Sequence, residues 1–293
     1  MNSPDKHYAI VVNPLAGKLT IDQKRAILEK PAKILKAEIH GLDTSSPQEF
    51  QSCVQEIAGN CDILVATGGD GTFSDIINAI DTAQTPIAYL PLGSGNAMQY
   101  ALKYEGSLDE IALRIKAGAI KEYDLINCDD RSRAFMVSIG IEGIIIKLRS
   151  SYHAEGERGF RSYLKSTFNA FLKEYKGIKA TITIDNDTFE VPDLLNISIV
   201  KQPYYGYGLK MVPQARFDDR QLHILYIDSS PMKSFIGGMT AFTIGNQIGE
   251  YRTGRHLTIH LEQPSVLQID GNEAWGSDTF NFTILPRSLR IQC

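Results

Sequence analysis

The glycine-rich run Thr67-Gly68-Gly69-Asp70-Gly71-Thr72 follows the apolar segment DILVA and precedes FSDIINAI, whose apolar residues recur at helical spacing. Glycines at a strand-to-helix turn permit positive φ and close backbone approach, and free N–H groups at the start of the next helix favour an anion such as phosphate. A carboxylate inside such a loop has a use if it faces a hydrated magnesium ion or positions a nucleotide hydroxyl, which singles out Asp70. A second loop, PLGSGNAM from Pro91 to Met98, again lies between a strand-like and a helix-like segment and contributes Gly93, Ser94, Gly95 and Asn96. A third, VNPLAGK, closes the first strand-like run and carries Asn13, Gly17 and Lys18; a plain turn explains it equally well. In a parallel sheet the turns after the strands line up at one edge, so loops well separated in sequence can share one ligand. Neither the GxGxxG dinucleotide fingerprint nor the GxxxxGK[ST] phosphate loop is present, so the familiar nucleotide folds are disfavoured.

These loops need strands to end on and helices to begin. Short apolar runs alternate with amphipathic segments up to residue 122, the pattern of parallel strands joined by helices. Tyr8–Val12 reads as the first strand, residues 21–37 as a helix, KAEIHGL as a strand, residues 48–58 as a helix, and PIAYLP as a later strand. NAMQYAL and LDEIALRIKAG read as further helices, capped by Asn96 and Ser107. From residue 123 to 293 the pattern changes to closely spaced strands: YDLINCD, AFMVSIGI, KATITIDNDTFEVP, LLNISIVK, QLHILYID, HLTIHLE, SVLQIDG and FNFTIL. The DND turn at Asp185–Asp187 suggests a hairpin, and the strand density an antiparallel sandwich. The helical exceptions are Gly159 to Tyr175 and Met232 to Phe242. The expectation is an α/β chain of two domains, residues 1–122 with a mainly parallel sheet and 123–293 an antiparallel β-sandwich.

Bulk properties narrow the function. With 43% hydrophobic and 22% charged residues the chain can bury a full core, and a net charge of −4 gives no broad cationic field, so nucleic acid is not the expected partner. Cys53, Cys61, Cys128 and Cys293 form no CxxC pair, which argues against zinc and a disulfide framework. The N-terminus passes from polar residues into a strand without a long apolar stretch, so a cytoplasmic protein is expected. A homodimer through exposed sandwich edges stays open.

The order NPxAGK, TGGDGT, PLGSGN resembles the catalytic domain shared by diacylglycerol kinases and sphingosine kinases, and the likeness extends through Asp124 in YDLI, FDD at Phe217–Asp219, and IDGNEAWG. The resemblance implies an ATP-dependent lipid kinase with a nucleotide-binding α/β domain of the NAD kinase and diacylglycerol kinase type and a lipid-binding sandwich, working at the membrane surface with Mg2+. It implies that Thr67, Gly68, Gly69, Gly71, Thr72, Gly93, Ser94, Gly95 and Asn96, with Asn13, Gly17 and Lys18, surround the phosphates. It places Asp70 and Asp124 near magnesium and makes Asp270 the general base. The family's Glu two residues after the base is Asn272 here, with Glu273 next; either a bulge presents Glu273 or Asn272 substitutes in part. After Asn96 many diacylglycerol kinases have Asp where this chain has Ala97, as in the GSGNA of sphingosine kinases.

Bacterial diacylglycerol kinases would make Asp219 the side-chain ligand of a structural magnesium, whereas paired aspartates before a strand are also ordinary turn residues. Arg158 and Arg161 can grip phosphate oxygens or can simply open a solvated helix. Two other functions stay open: phosphorylation of a soluble acceptor such as NAD, since NAD kinases share GGDGT, and a catalytically silent nucleotide- or lipid-binding regulator.

Overall fold

The computed structural model describes residues 6–145, 177–228, 237 and 239–293. The chain divides into two compact units, Met1–Tyr123 with Arg287–Cys293, and Asp124–Pro286.

The first unit alternates strands and helices: β1 (Tyr8–Val12), α1 (Ile21–Leu35), β2 (Glu38–His40), α2 (Pro47–Ala58), β3 (Ile63–Gly68), α3 (Asp70–Ala79), β4 (Ile87–Pro91), α4 (Ala97–Ala101) and α5 (Leu108–Ala117). Its strands are parallel in the order β2-β1-β3-β4. Every residue of β1 and β3 is buried, as expected of strands covered on both faces, and their unbroken apolar runs reflect that. Helix starts are set by local chemistry. Thr20 and Ser107 form capping boxes with Gln23 and Glu110, and Ser46 caps α2 ahead of Pro47. The last residues of the chain return to this unit, where Ile291 pairs in parallel with Ile87.

The second unit contains the rest of β5 (Ile120–Cys128), then β6 (Ser132–Ala134), β7 (Met136–Gly140), β8 (Ile178–Ile184), β9 (Asp187–Leu194), β10 (Asn196–Val200), β11 (Leu222–Ile227), β12 (Glu250–Gly254), β13 (His256–Ile269) and most of β14 (Asn272–Gln292). Its pairings are antiparallel and run β12-β11-β10-β7-β13-β14, with the β8–β9 hairpin added on β13. Val137, Ile139, Ile197, Ile199, Ile224, Leu267, Phe280 and Phe282 are among the residues that fill the sandwich core.

HLTIHLE and SVLQIDG are not two strands but one, β13. Its first half pairs with β8 and its end with β7, and a register shift between His260 and Ser265 absorbs Pro264. The DND hairpin is present, with Ile184 opposite Asp187 and Asp185 in the left-handed region at φ 52°. The helix expected at 159–175 lies outside the described residues, as does most of the one expected at 232–242. Among the described residues no helix is long and apolar enough to cross a membrane.

Candidate functional site

In the first unit, β1, β3 and β4 end level, with Val12 opposite Thr67 and Gly68 opposite Pro91. The loops that follow therefore meet. The amides of Leu92 and Gly93 donate to Gly68 O at 2.8 and 3.1 Å, and the Asn13 amide donates to Thr67 O at 3.4 Å. A Cβ on Gly93 would stand 2.3 Å from Gly69 Cα, and one on Gly17, whose φ is +72°, 2.6 Å from Leu92 O. Glycine is required at both places because backbone touches backbone. The buried Tyr89 hydroxyl, 3.2 Å from both Gly68 O and Asn96 Oδ1, ties the two main loops from beneath. Gly69 is the N-cap of α3 and offers no side-chain acceptor to the first-turn amides, the situation in which an oxyanion can take that role. Lys18 and Ser94 are exposed, Gly71 and Gly95 half-buried and Thr72 buried. The Thr67 hydroxyl turns back to its own strand and donates to Val65 O at 3.3 Å.

Asp70 departs from its expected role. Its Oδ2 accepts from the Ala97 amide at 2.9 Å and its Oδ1 from the Met98 amide at 3.1 Å, so it clasps the second loop and caps α4. Asn96, expected to cap that helix, sits at the N-cap position with φ 47° and makes no capping bond. Its amide instead donates to Gly93 O at 3.0 Å. A carboxylate beats an amide oxygen as partner for two backbone N–H groups because those bonds are charge-assisted.

Two features of this unit have no counterpart among the sequence candidates. Lys24, on α1, is buried, and its ammonium donates to Asn13 O at 3.1 Å and Pro14 O at 2.5 Å, bracing the NPLAGK loop. A cavity of about 400 Å³ opens between that loop, α2 and α3, with Phe50 and Val54 as apolar walls and Asn13, Thr44, Ser46 and Asn78 as polar ones. Helix periodicity places Thr44 and Ser46 as cap and turn residues and says nothing of a cavity.

In the second unit Asp270 and Gly271 form the two-residue turn between β13 and β14, both at positive φ (48° and 88°), with Ile269 opposite Asn272. That is the Asp-Gly preference of a tight hairpin. Asp270 is buried, and its Oδ1 accepts from the Phe135 and Met136 amides at 3.2 and 2.9 Å. Asn272 and Glu273 are both exposed, and Glu273 stands opposite Gln268. Gln268 belongs to a row of buried polar residues: Ser138 pairs with Ser198 on one side and Gln268 on the other, and Asn196 lies two residues before Ser198. Their strand neighbours point into the core, so the row occupies the opposite face of the sheet. Ser138 Oγ donates to Gln268 Oε1 at 3.0 Å, and Asn196 Nδ2 donates to Ser198 Oγ at 2.9 Å and Glu142 Oε1 at 3.2 Å.

Glu142 is half-buried by area, but its carboxyl turns into this row. Burial pushes that carboxyl up to about 7 against hydrogen bonds from Ser138, Tyr205, Asn196 and Ser198 that pull the other way. A carboxyl with a raised folded-state pKa keeps its proton when the unfolded chain has lost it. Stability is therefore expected to fall as pH rises from about 4.5 to about 7, and Glu142→Gln to flatten that limb of a melting-temperature profile.

Asp124 and Asp219 do come together, but around the Lys201 ammonium, which lies 3.2 Å from Asp124 Oδ2 and 2.9 Å from Asp219 Oδ1. Burial raises the Asp219 carboxyl, and the hydrogen bond and charge of Lys201 outweigh it, leaving the group below its ordinary value. Magnesium needs about six oxygens at about 2.0–2.1 Å, and the point where these oxygens converge holds a cation of the protein's own. The arrangement does not fit a structural magnesium. Among the described residues no group of three or more His, Cys, Asp or Glu side chains forms a metal site. Arg158 and Arg161 lie outside the described residues.

Comparison with known proteins agrees with this architecture. Residues 7–128 match the diacylglycerol kinase catalytic domain, and residues 136–293 match the YegS C-terminal NAD kinase beta sandwich-like domain. The chain is 23% identical over 305 residues to a diacylglycerol kinase of Staphylococcus saprophyticus, covering 98% of this chain and 95% of that one. To a Staphylococcus aureus diacylglycerol kinase it is 24% identical over 311 residues, covering 98% and 92%. Among solved structures, a diacylglycerol kinase of Bacillus anthracis superposes with a TM-score of 0.74 at 17% identity, covering 98% and 96%. An NAD kinase of Archaeoglobus fulgidus, solved in complex with ATP, superposes with a TM-score of 0.53 at 13% identity, covering 98% and 93%. With both domain matches in their expected order, the chain belongs to the diacylglycerol kinase catalytic-domain family, built with a YegS-type C-terminal sandwich.

Proposed function

We propose that this protein is an ATP-dependent lipid kinase that transfers the γ-phosphoryl group to a lipid hydroxyl. The observation that carries the reading is the meeting of three glycine loops at the level ends of β1, β3 and β4, with glycine demanded where their backbones touch. Phosphates lie along Gly68–Thr72 and Gly93–Asn96, where backbone amides supply fixed donors, with the exposed Lys18 of the NPLAGK loop as the accompanying cation. The cavity beside Asn13 suits the base and ribose: apolar walls for a planar ring, and Thr44, Ser46 and Asn78 for its polar edges. Mg2+ arrives chelated by ATP, as part of the substrate.

The second unit supplies the acceptor side. The acceptor oxygen attacks the γ-phosphorus, the bond to the β,γ-bridging oxygen breaks, and the hydroxyl proton passes to the Asp270 carboxylate, with ADP as leaving group. An alcohol is a poor nucleophile until a base takes its proton, and Asp270 is held in one orientation by two backbone amides. Glu273 is the second carboxylate of the pair. Because the acceptor is a lipid, turnover takes place with the protein at the bilayer surface.

The test is incubation of purified protein with γ-labelled ATP, Mg2+ and, in parallel, a mixed lipid extract or NAD. Label in the organic phase is the expected result, and product identification then names the lipid. Label in NAD with none in lipid replaces the reading with that of a soluble-acceptor kinase.

A further inference from the structure

We infer that the Lys201 ammonium is a built-in structural cation of the second unit, holding β5, the end of β10 and the loop before β11 together at the point where the family resemblance implies a divalent ion. Three oxygens from two of these segments converge on it: Asp124 Oδ2 at 3.2 Å, Asp219 Oδ1 at 2.9 Å and the Gln221 carbonyl at 2.5 Å. An ammonium has three N–H donors and no acceptor, so each proton has one oxygen. Lys201 and Asp124 are both almost completely inaccessible, at 0% and 1% of side-chain area. A lysine is rarely buried to this degree unless paired. The backbone is fixed too, because the Lys201 amide donates to Phe135 O at 2.8 Å.

The surrounding groups are arranged for a cation with hydrogen-bond geometry. Asp124 Oδ2 also accepts from the Arg220 amide at 2.7 Å, and Asp219 Oδ1 from the Gln221 amide at 3.2 Å. His223 Nε2 stands 3.0 Å from Asp219 Oδ2, and His223 Nδ1 is 2.7 Å from the Tyr251 hydroxyl, extending the network to β12. Arg220 adopts φ 59°, a left-handed conformation costly for a side chain of that size. The loop keeps it because its amide then reaches Asp124. A divalent ion and this ammonium compete for the same oxygens. With lysine in place the unit has no need of the ion, and dependence on Mg2+ belongs to the nucleotide alone.

Thermal unfolding of the full-length protein without nucleotide tests this separately from any activity. The melting temperature is expected to be the same, within about 1 °C, in EDTA and in millimolar Mg2+ or Ca2+. A rise of several degrees on adding either ion that disappears in Asp219→Asn overturns the inference. Lys201→Met strands the buried Asp124 carboxylate and the half-buried Asp219 carboxylate without their cation and is expected to lower the melting temperature by about 10 °C. An unchanged melting temperature also overturns it. If Lys201→Met yields no folded protein, the triple variant Lys201→Met, Asp124→Asn, Asp219→Asn removes all three charges together. Recovery of folded protein supports the inference, and continued failure to fold overturns it.

Discussion

Asp270→Asn is expected to cut turnover by about a thousandfold while changing nucleotide affinity by less than about twofold, the range in which a positioned general base contributes. The substitution is nearly isosteric. Asparagine keeps an oxygen for the Phe135 and Met136 amides and tolerates the left-handed φ of 48° at this turn, so the hairpin survives. It cannot take the acceptor's proton. Asp270→Ala removes the acceptor from two backbone amides and strains the turn, which costs about 1–3 kcal/mol for each amide left without a partner. Alanine is therefore expected to lower both activity and melting temperature, asparagine activity alone. Steady-state rates with saturating acceptor, ATP affinity by calorimetry and melting curves separate the two effects. A near wild-type rate for Asp270→Asn would reject the proton-accepting role.

The alternation of apolar runs and helical stripes made the parallel half legible because such strands are buried on both faces and their helices begin at recognisable caps, as Ser107 and Glu110 show. The three glycine loops were legible for a related reason: close backbone approach admits no other residue. What stayed hidden depends on partners remote in the chain. Asp70 reads as a metal-side carboxylate until the amides of Ala97 and Met98 are found on it. Nothing in the local sequence marks Lys24 and Lys201 for burial, since burial of an ammonium is decided by oxygens that local sequence does not place next to it. The cavity beside Asn13 is formed by two helices and a loop, each ordinary by itself. Strand pairing hides in the same way. The return of Ile291 to the edge of β4 spans most of the chain, and the merging of two apparent strands into β13 depends on neighbours that pair with its two halves.

Gly93→Ala is expected to weaken ATP binding about a hundredfold, roughly 2.7 kcal/mol, through the shape of the loops alone. The added methyl carbon would lie 2.3 Å from Gly69 Cα, 2.6 Å from Asn96 Oδ1 and 3.1 Å from Gly69 N. Asn96 can rotate away; the Gly69 backbone cannot. Relief then requires the loops to separate, and that motion pulls on the bonds from Leu92 and Gly93 to Gly68 O and on the Asp70 clasp. The backbone donors proposed to hold phosphate lose their common aim, so affinity is expected to fall further than stability. Gly59→Ala is the matched control in the same unit: it has an ordinary helical φ of −74°, and its new Cβ would be 3.6 Å from the nearest atom. That variant is expected to bind ATP normally and to melt at or slightly above the parent temperature, because alanine narrows the unfolded ensemble. Equal ATP affinity in the two variants would mean that contact between the glycine loops does not shape the phosphate site.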